Sequence, residues 1–146
     1  MEYEVVMLEE KRVVGFCQRT GNDKEDIGNV IGGLWKKLTQ VNDIQGRKNK
    51  KYIGLYTDYI GMEYDTTIGC EVNKNAPIPK DMTEKIIPAG KYAKFVLHGD
   101  VVKTVQKAWG NIWKMNLERT FTGDFEEYQE GEDMQNMEIH IYVAIK

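Results

Sequence analysis

Apolar and polar positions along the chain follow two rhythms. From Ile27, apolar residues recur at Val30, Ile31, Leu34, Trp35, Leu38 and Val41, the three-and-four spacing of a helix with one apolar face. Val101, Val105, Ala108, Trp109, Ile112 and Trp113 form a second such stripe. Asp100 is placed to cap the second helix, and Asp23 or Asp26 the first. Elsewhere the period is two. Glu4 to Arg19 predicts a strand at each end of a polar break, or one bent strand. Tyr52 to Tyr56 and Tyr64 to Val72 predict an antiparallel hairpin, with a turn over Asp58 to Met62. Met82 to Leu97 gives strand material around Pro88-Ala89-Gly90, Gly123 to Glu130 a strand, Gly131 to Asn136 a turn, and Met137 to Ile145 a last strand.

The two halves repeat. Trp35 meets Trp109 at an offset of 74 (109 − 35), and Ile27, Ile31, Leu34 and Leu38 then meet Val101, Val105, Ala108 and Ile112. Each half reads strand, helix, strand, strand. Asn73 to Asp81, with Pro77 and Pro79, is the strongest break. The expected fold class is therefore α+β: duplicated units forming a predominantly antiparallel sheet, helices on one face, and a central cleft at a pseudo-two-fold axis. A half of this length buries little core alone, so residues 1–146 are expected to form one domain, with pseudo-repeat halves 1–75 and 82–146. Gly28, Gly32 and Gly33 weaken the first helix by about 1 kcal/mol each if exposed. Close packing or ligand approach could offset that cost.

Composition narrows the function classes. A net charge of −3 gives no general attraction to nucleic acid, so no direct nucleic-acid binding is expected. The basic cluster Arg47-Lys48-Asn49-Lys50-Lys51 reads as a solvated loop. No apolar run approaches the roughly 20 residues of a membrane span. The acidic start Met1-Glu2-Tyr3-Glu4 is unlike a signal peptide. Cys17 and Cys70 read as reduced cysteines in strands, which fits a cytoplasmic location. His98 and His140 are isolated in the sequence, so neither a metal site nor a cofactor is expected.

The candidate chemistry lies in Gly123-Asp124-Phe125-Glu126-Glu127-Tyr128-Gln129. On a strand, Glu126 and Tyr128 share one face, opposite Phe125 and Glu127. A carboxylate beside aromatic rings suits a lipophilic cation, because rings supply area and cation–π attraction and the acid supplies charge. A solvated strand edge would carry the same acids. Tyr56 aligns with Tyr128 at an offset of 72 (128 − 56), where Glu126 meets Gly54: one half supplies the acid, the other no side chain and open space. Trp35 and Trp109 are assigned to the core. Trp113, one turn past Trp109, either joins the core or lines the mouth of a cleft.

Several segments in order resemble the GyrI-like family, the bacterial transcription-activator effector-binding domain. They are Gly54-Leu55-Tyr56-Thr57-Asp58, Tyr64 leading to Ile68-Gly69-Cys70-Glu71-Val72, Ile87-Pro88-Ala89-Gly90-Lys91-Tyr92, and Phe125-Glu126-Glu127-Tyr128, similar to the family's Phe-Glu-x-Tyr pattern. The resemblance covers nearly the whole chain and is to stand-alone members. It implies a cleft for lipophilic, often cationic, small molecules, with Glu126 as charge partner, a role in multidrug-type sensing or sequestration, and a link to transcription regulation. The ligand-binding set it implies, together with the residue reading, is Glu126, Tyr128, Tyr56, Tyr92 and Trp113, with Tyr92 entering by resemblance only. The same resemblance leaves two other readings open. One is a hydrolase of strained cyclopropane-type electrophiles, with Glu126 as general base and Tyr128 or Tyr56 donating to developing charge. The other is an interaction protein with a protein partner, such as a DNA gyrase inhibitor, supported by net acidity and the Arg47–Lys51 loop.

Overall fold

In the computed structural model, which describes residues 1–131 and 133–146, eight strands and two helices follow the duplicated order. The first half comprises β1 (Glu4–Leu8), β2 (Lys11–Gly21), α1 (Ile27–Thr39), β3 (Tyr52–Ile60) and β4 (Glu63–Val72). The second comprises β5 (Thr83–Ile87), β6 (Gly90–Gly99), α2 (Val101–Lys114), β7 (Asp124–Tyr128) and β8 (Met137–Ala144). Within the expected turn after β7, Glu132 lies outside the described residues.

All strands join one antiparallel sheet in the order β1-β6-β8-β7-β3-β4-β2-β5. Exchanging the halves, β1 with β5, β2 with β6, β3 with β7 and β4 with β8, reverses this order onto itself. The pseudo-two-fold axis therefore passes between β3 and β7. Each half also lends a strand across: β1 pairs with β6 of the second half, and β5 with β2 of the first.

Both helices lie on one face. Leu34 and Leu38 of α1 pack on Val14, Ile68 and Cys70, and Ala108 and Ile112 of α2 pack on Ala93, Phe95, Ile141 and Val143. α1 thus rests on β2 and β4, and α2 on β6 and β8. The central β3/β7 pair lies between them, where Trp35 of α1 and Val101 and Val105 of α2 pack on Tyr128 of β7 and Met137 and Ile139 of β8. The opposite face has its own core of Val13, Ile53, Leu55, Ile87, Tyr92, Phe125 and Tyr142.

Local expectations differ from the structure in five places. Asp100 caps α2, accepting from the Val102 and Lys103 amides at 3.2 and 2.9 Å, but Asp26 at the start of α1 makes no side-chain cap. β3 continues through the expected turn to Ile60, because a bulge after Thr57, with Asp58 at φ +56°, absorbs the irregularity within the strand. A Cβ at Gly28, Gly32 or Gly33 would meet nothing within 4 Å, so no close packing offsets their helix cost. His98 and His140 are not isolated: their Nε2 atoms lie 3.2 and 2.6 Å from the Glu138 carboxylate. Arg47 is half-buried rather than solvated. Cys17 and Cys70 are free thiols. Among the described residues, no helix is long and apolar enough to cross a membrane.

Candidate functional site

Strand alternation puts Tyr52, Gly54 and Tyr56 of β3, and Glu126 and Tyr128 of β7, on the helix-bearing face. Gly54 and Glu126 are direct partners in the β3/β7 register. An ideal Cβ on Gly54 would stand 3.0 Å from Glu126 Oε1. The space expected opposite the acid is therefore filled by the carboxylate itself, and glycine is there because the acid needs that volume.

Glu126 is 2% exposed. Three donors converge on it: Tyr56 Oη to Oε2 at 2.8 Å, Trp109 Nε1 to Oε2 at 2.6 Å, and Tyr128 Oη to Oε1 at 2.7 Å. Tyr56 and Tyr128 are equivalents across the axis, so one acid is held from both halves. The tryptophans follow the same symmetry. Trp109 of α2 meets the Tyr56 ring edge-on at 5.9 Å and 88°, and Trp35 of α1 meets the Tyr128 ring at 5.0 Å and 87°. Tyr64 packs against Tyr56 at 5.4 Å, and its hydroxyl donates to Asn22 Oδ1 at 2.6 Å.

The electrostatics follow from this enclosure. Burial pushes the Glu126 carboxyl above its ordinary value of 4.5, and hydrogen bonds from Tyr128, Trp109 and Tyr56 pull it back in part. Burial and the neighbouring carboxylate hold Tyr56 and Tyr128 well above 10, so both stay protonated and remain donors. Burial raises Tyr64 to about 12. Among the described residues, no Lys, Arg or His nitrogen forms an ion pair with Glu126. It is a buried acid satisfied by neutral donors alone.

The structure gathers Glu126, Tyr128 and Tyr56, and leaves Tyr92 and Trp113 elsewhere. Tyr92 is 1% exposed on the opposite face, where it packs on Phe125 and Tyr142 and donates to the Pro88 carbonyl at 2.6 Å. Its place on β6, opposite Ala144, fixes that side of the sheet. Trp113 is 57% exposed and lines an outer groove of about 500 Å³ with Ile112, Met115 and Phe121. Trp109, assigned to the core from its stripe, packs against the core under α2 and is also a direct donor to the acid. The stripe showed that it faces the sheet, but not that the sheet below it holds a carboxylate. Glu127, on the Phe125 face, is 8% exposed: Gln129 Nε2 donates to it at 2.8 Å, and Lys51 Nζ and His140 Nδ1 lie 3.7 and 3.8 Å away.

The family model for the integron-associated effector binding protein, Cass2, matches residues 4–145. The chain belongs to this family. It is 32% identical to YobU of Bacillus subtilis (strain 168), over 97% of this chain and 96% of that protein. It is 26% identical to the transcriptional regulator BrlR of Pseudomonas aeruginosa, over 81% of this chain but 47% of BrlR. Among solved structures it is similar to SAV2435 bound to tetraphenylphosphonium, with a TM-score of 0.81 and 23% identity over 100% of this chain and 94% of that one. This chain thus shares the family's architecture, with Glu126 buried under Tyr56, Tyr128 and Trp109 on the face that carries the helices.

Proposed function

We propose that this effector-binding protein takes lipophilic aromatic cations in the cleft between α1 and α2, with Glu126 as the charge partner. One observation carries the reading: a carboxylate 2% exposed, ringed by Tyr56, Tyr128, Trp109 and Trp35, with no basic side chain paired to it among the described residues. Burying a carboxylate without a counter-charge costs several kcal/mol, and neutral donors recover only part of that. A cation delivered by a ligand supplies what the protein lacks. The tetraphenylphosphonium held by SAV2435 is a ligand of this class and supports the reading. Trp109 and Tyr56, both half-buried, cover Glu126 and must turn aside for a cation to approach. Relatedness to BrlR supports a role in reporting such compounds to transcription.

The hydrolase reading draws on the same acid, since a carboxyl raised by burial beside two phenol donors is suited to general-base work. Both of its oxygens are already engaged, so a water-activating role needs one donor to let go. Calorimetric titration with tetraphenylphosphonium and with neutral triphenylphosphine oxide tests the binding reading: saturable binding of the cation, and much weaker binding of the oxide, is expected. Equal affinity for the two sinks it. Mass spectrometry of a panel of cyclopropane electrophiles after incubation decides the second reading, which needs a product.

A further inference from the structure

Ring contacts run from Tyr128 through Trp35 to Tyr52 and from Tyr56 through Tyr64 and Tyr59 to Phe121; each run ends under an arginine, and the two ends differ. Arg47 and Arg119 are equivalents at an offset of 72 (119 − 47), the offset that relates Tyr56 to Tyr128. Each forms an isolated bridge to the end of its half, Arg47 with Val72 and Arg119 with Ile145. Each guanidinium lies over a ring, Arg47 4.6 Å from the Tyr52 centroid and Arg119 4.3 Å from that of Phe121. Each has a buried Nε without a partner.

Their charges are handled differently. Arg119 Nη2 is paired at 2.7 Å with Asp124, which is fully buried. The equivalent of Asp124 is Tyr52, at the same offset (124 − 52). Where one half has an acid, the other has a ring. Among the described residues Arg47 has no carboxylate within ion-pair distance; its Nη2 donates only to the Lys51 carbonyl at 3.1 Å. Lys48 and Lys51 are drawn toward Glu71 and Glu127. The Tyr52 ring under Arg47 is 39% exposed and touches Trp35 at 6.2 Å, which in turn touches Tyr128. Tyr52 and Gly54 share a strand face, so this ring lies about 7 Å along β3 from the point opposite Glu126.

We infer that Arg47 and Tyr52 form a second subsite, for a carboxylate or similar anionic group of the ligand whose cation meets Glu126. This deepens, and rests on, the cation-binding reading above. The preferred ligands are then amphoteric aromatics: positive at one end, flat in the middle, and negative about one ring-length further on. An unpaired guanidinium opposes a purely cationic molecule at this end and accepts an anion with charge-assisted hydrogen bonds. Arg119 cannot do the same, because Asp124 already neutralises it.

Rhodamine B and its ethyl ester share one cationic dye body and differ in one carboxylate. Fluorescence-anisotropy titration at neutral pH is expected to show the wild-type protein binding the free acid at least about tenfold more tightly than the ester. Arg47→Met should abolish the preference, weakening the acid and leaving the ester bound at least as tightly as before, and Arg47→Lys should keep part of the preference. Equal wild-type affinities, or a preference that survives Arg47→Met, overturn the subsite while leaving cation binding intact. Failure of the wild-type protein to bind either dye overturns both. The wild-type ratio of the two dyes tests the proposal without any variant.

Discussion

Gly54 and Glu126 are partners twice over. They face each other in the β3/β7 register, and they are equivalents in the two halves at an offset of 72 (126 − 54). A pair with both properties lies on the pseudo-two-fold axis. That position lets Tyr56 and Tyr128, one from each half, reach the two oxygens of a single carboxylate. It also leaves room for only one side chain.

Gly54→Ala tests that crowding. The new Cβ would sit 3.0 Å from Glu126 Oε1 and 3.4 Å from Ile68 Cδ1. Overpacking of this kind costs about 1–3 kcal/mol, and the carboxylate must shift from at least one donor. Urea unfolding is expected to show a loss in that range, and calorimetry a weaker grip on tetraphenylphosphonium. Unchanged values on both would show that the acid has slack the geometry does not suggest.

Trp109 and Trp35 are equivalents with unequal jobs. Only Trp109 donates to Glu126, at 2.6 Å, while Trp35 contributes its ring to Tyr128. Trp109→Phe removes a hydrogen bond to a buried charge and should destabilise the protein by about 1.5–3 kcal/mol beyond the lost ring area. Trp35→Phe should cost less. Chemical denaturation of the two variants side by side checks the order, and a reversed order contradicts it.

How much of this was legible in the sequence depends on range. Periods of two and 3.6 are local, so the strands, both helices and the duplicated order could be read directly. The shared face of Glu126 and Tyr128 followed from the same rule. Trp109 could not be assigned to the acid, because a helical stripe shows which side faces the sheet and not what waits there. Tyr92 was carried in by resemblance, while its strand face depends on a pairing with β8 that no local pattern contains. Arg47 sat in a run of basic residues that reads as solvent-facing, and only the repeat with Arg119 singles it out.

Folding and ionisation of Glu126 should be linked. Its folded pKa is raised above 4.5, chiefly by burial. The folded state therefore holds this proton more tightly than the unfolded chain, so the stabilisation is complete below about 4.5 and is lost as pH rises toward the folded pKa. Glu126→Gln removes this dependence. Relative to wild type, the variant is expected to gain stability as pH rises from 4.5, levelling off above the folded pKa. Thermal denaturation across that range checks it, and a constant difference between the proteins contradicts it.

The exposed glycines of α1 make a separate prediction. Nothing lies within 4 Å of a Cβ built at Gly32 or Gly33. Gly32→Ala and Gly33→Ala are each expected to stabilise the protein by about 0.4–1 kcal/mol. Urea midpoints measure this. A loss at either position would mean that the helix needs the glycine for a contact made outside this fold.

The central claim is that Glu126, and not its neighbour, recognises charge. Glu126 faces the helices, and Glu127 faces the other side of the sheet beside Lys51 and His140. Truncating one partner of a desolvated charge pair costs about 2–5 kcal/mol, well over tenfold in affinity. The direct measurement is calorimetry of wild type, Glu126→Gln and Glu127→Gln with tetraphenylphosphonium and triphenylphosphine oxide. Glu126→Gln should lose more than tenfold for the cation and far less for the neutral oxide, with Glu127→Gln close to wild type for both. A charge-selective loss in Glu127→Gln, with Glu126→Gln unaffected, would contradict the account and move the site to the opposite face of the sheet.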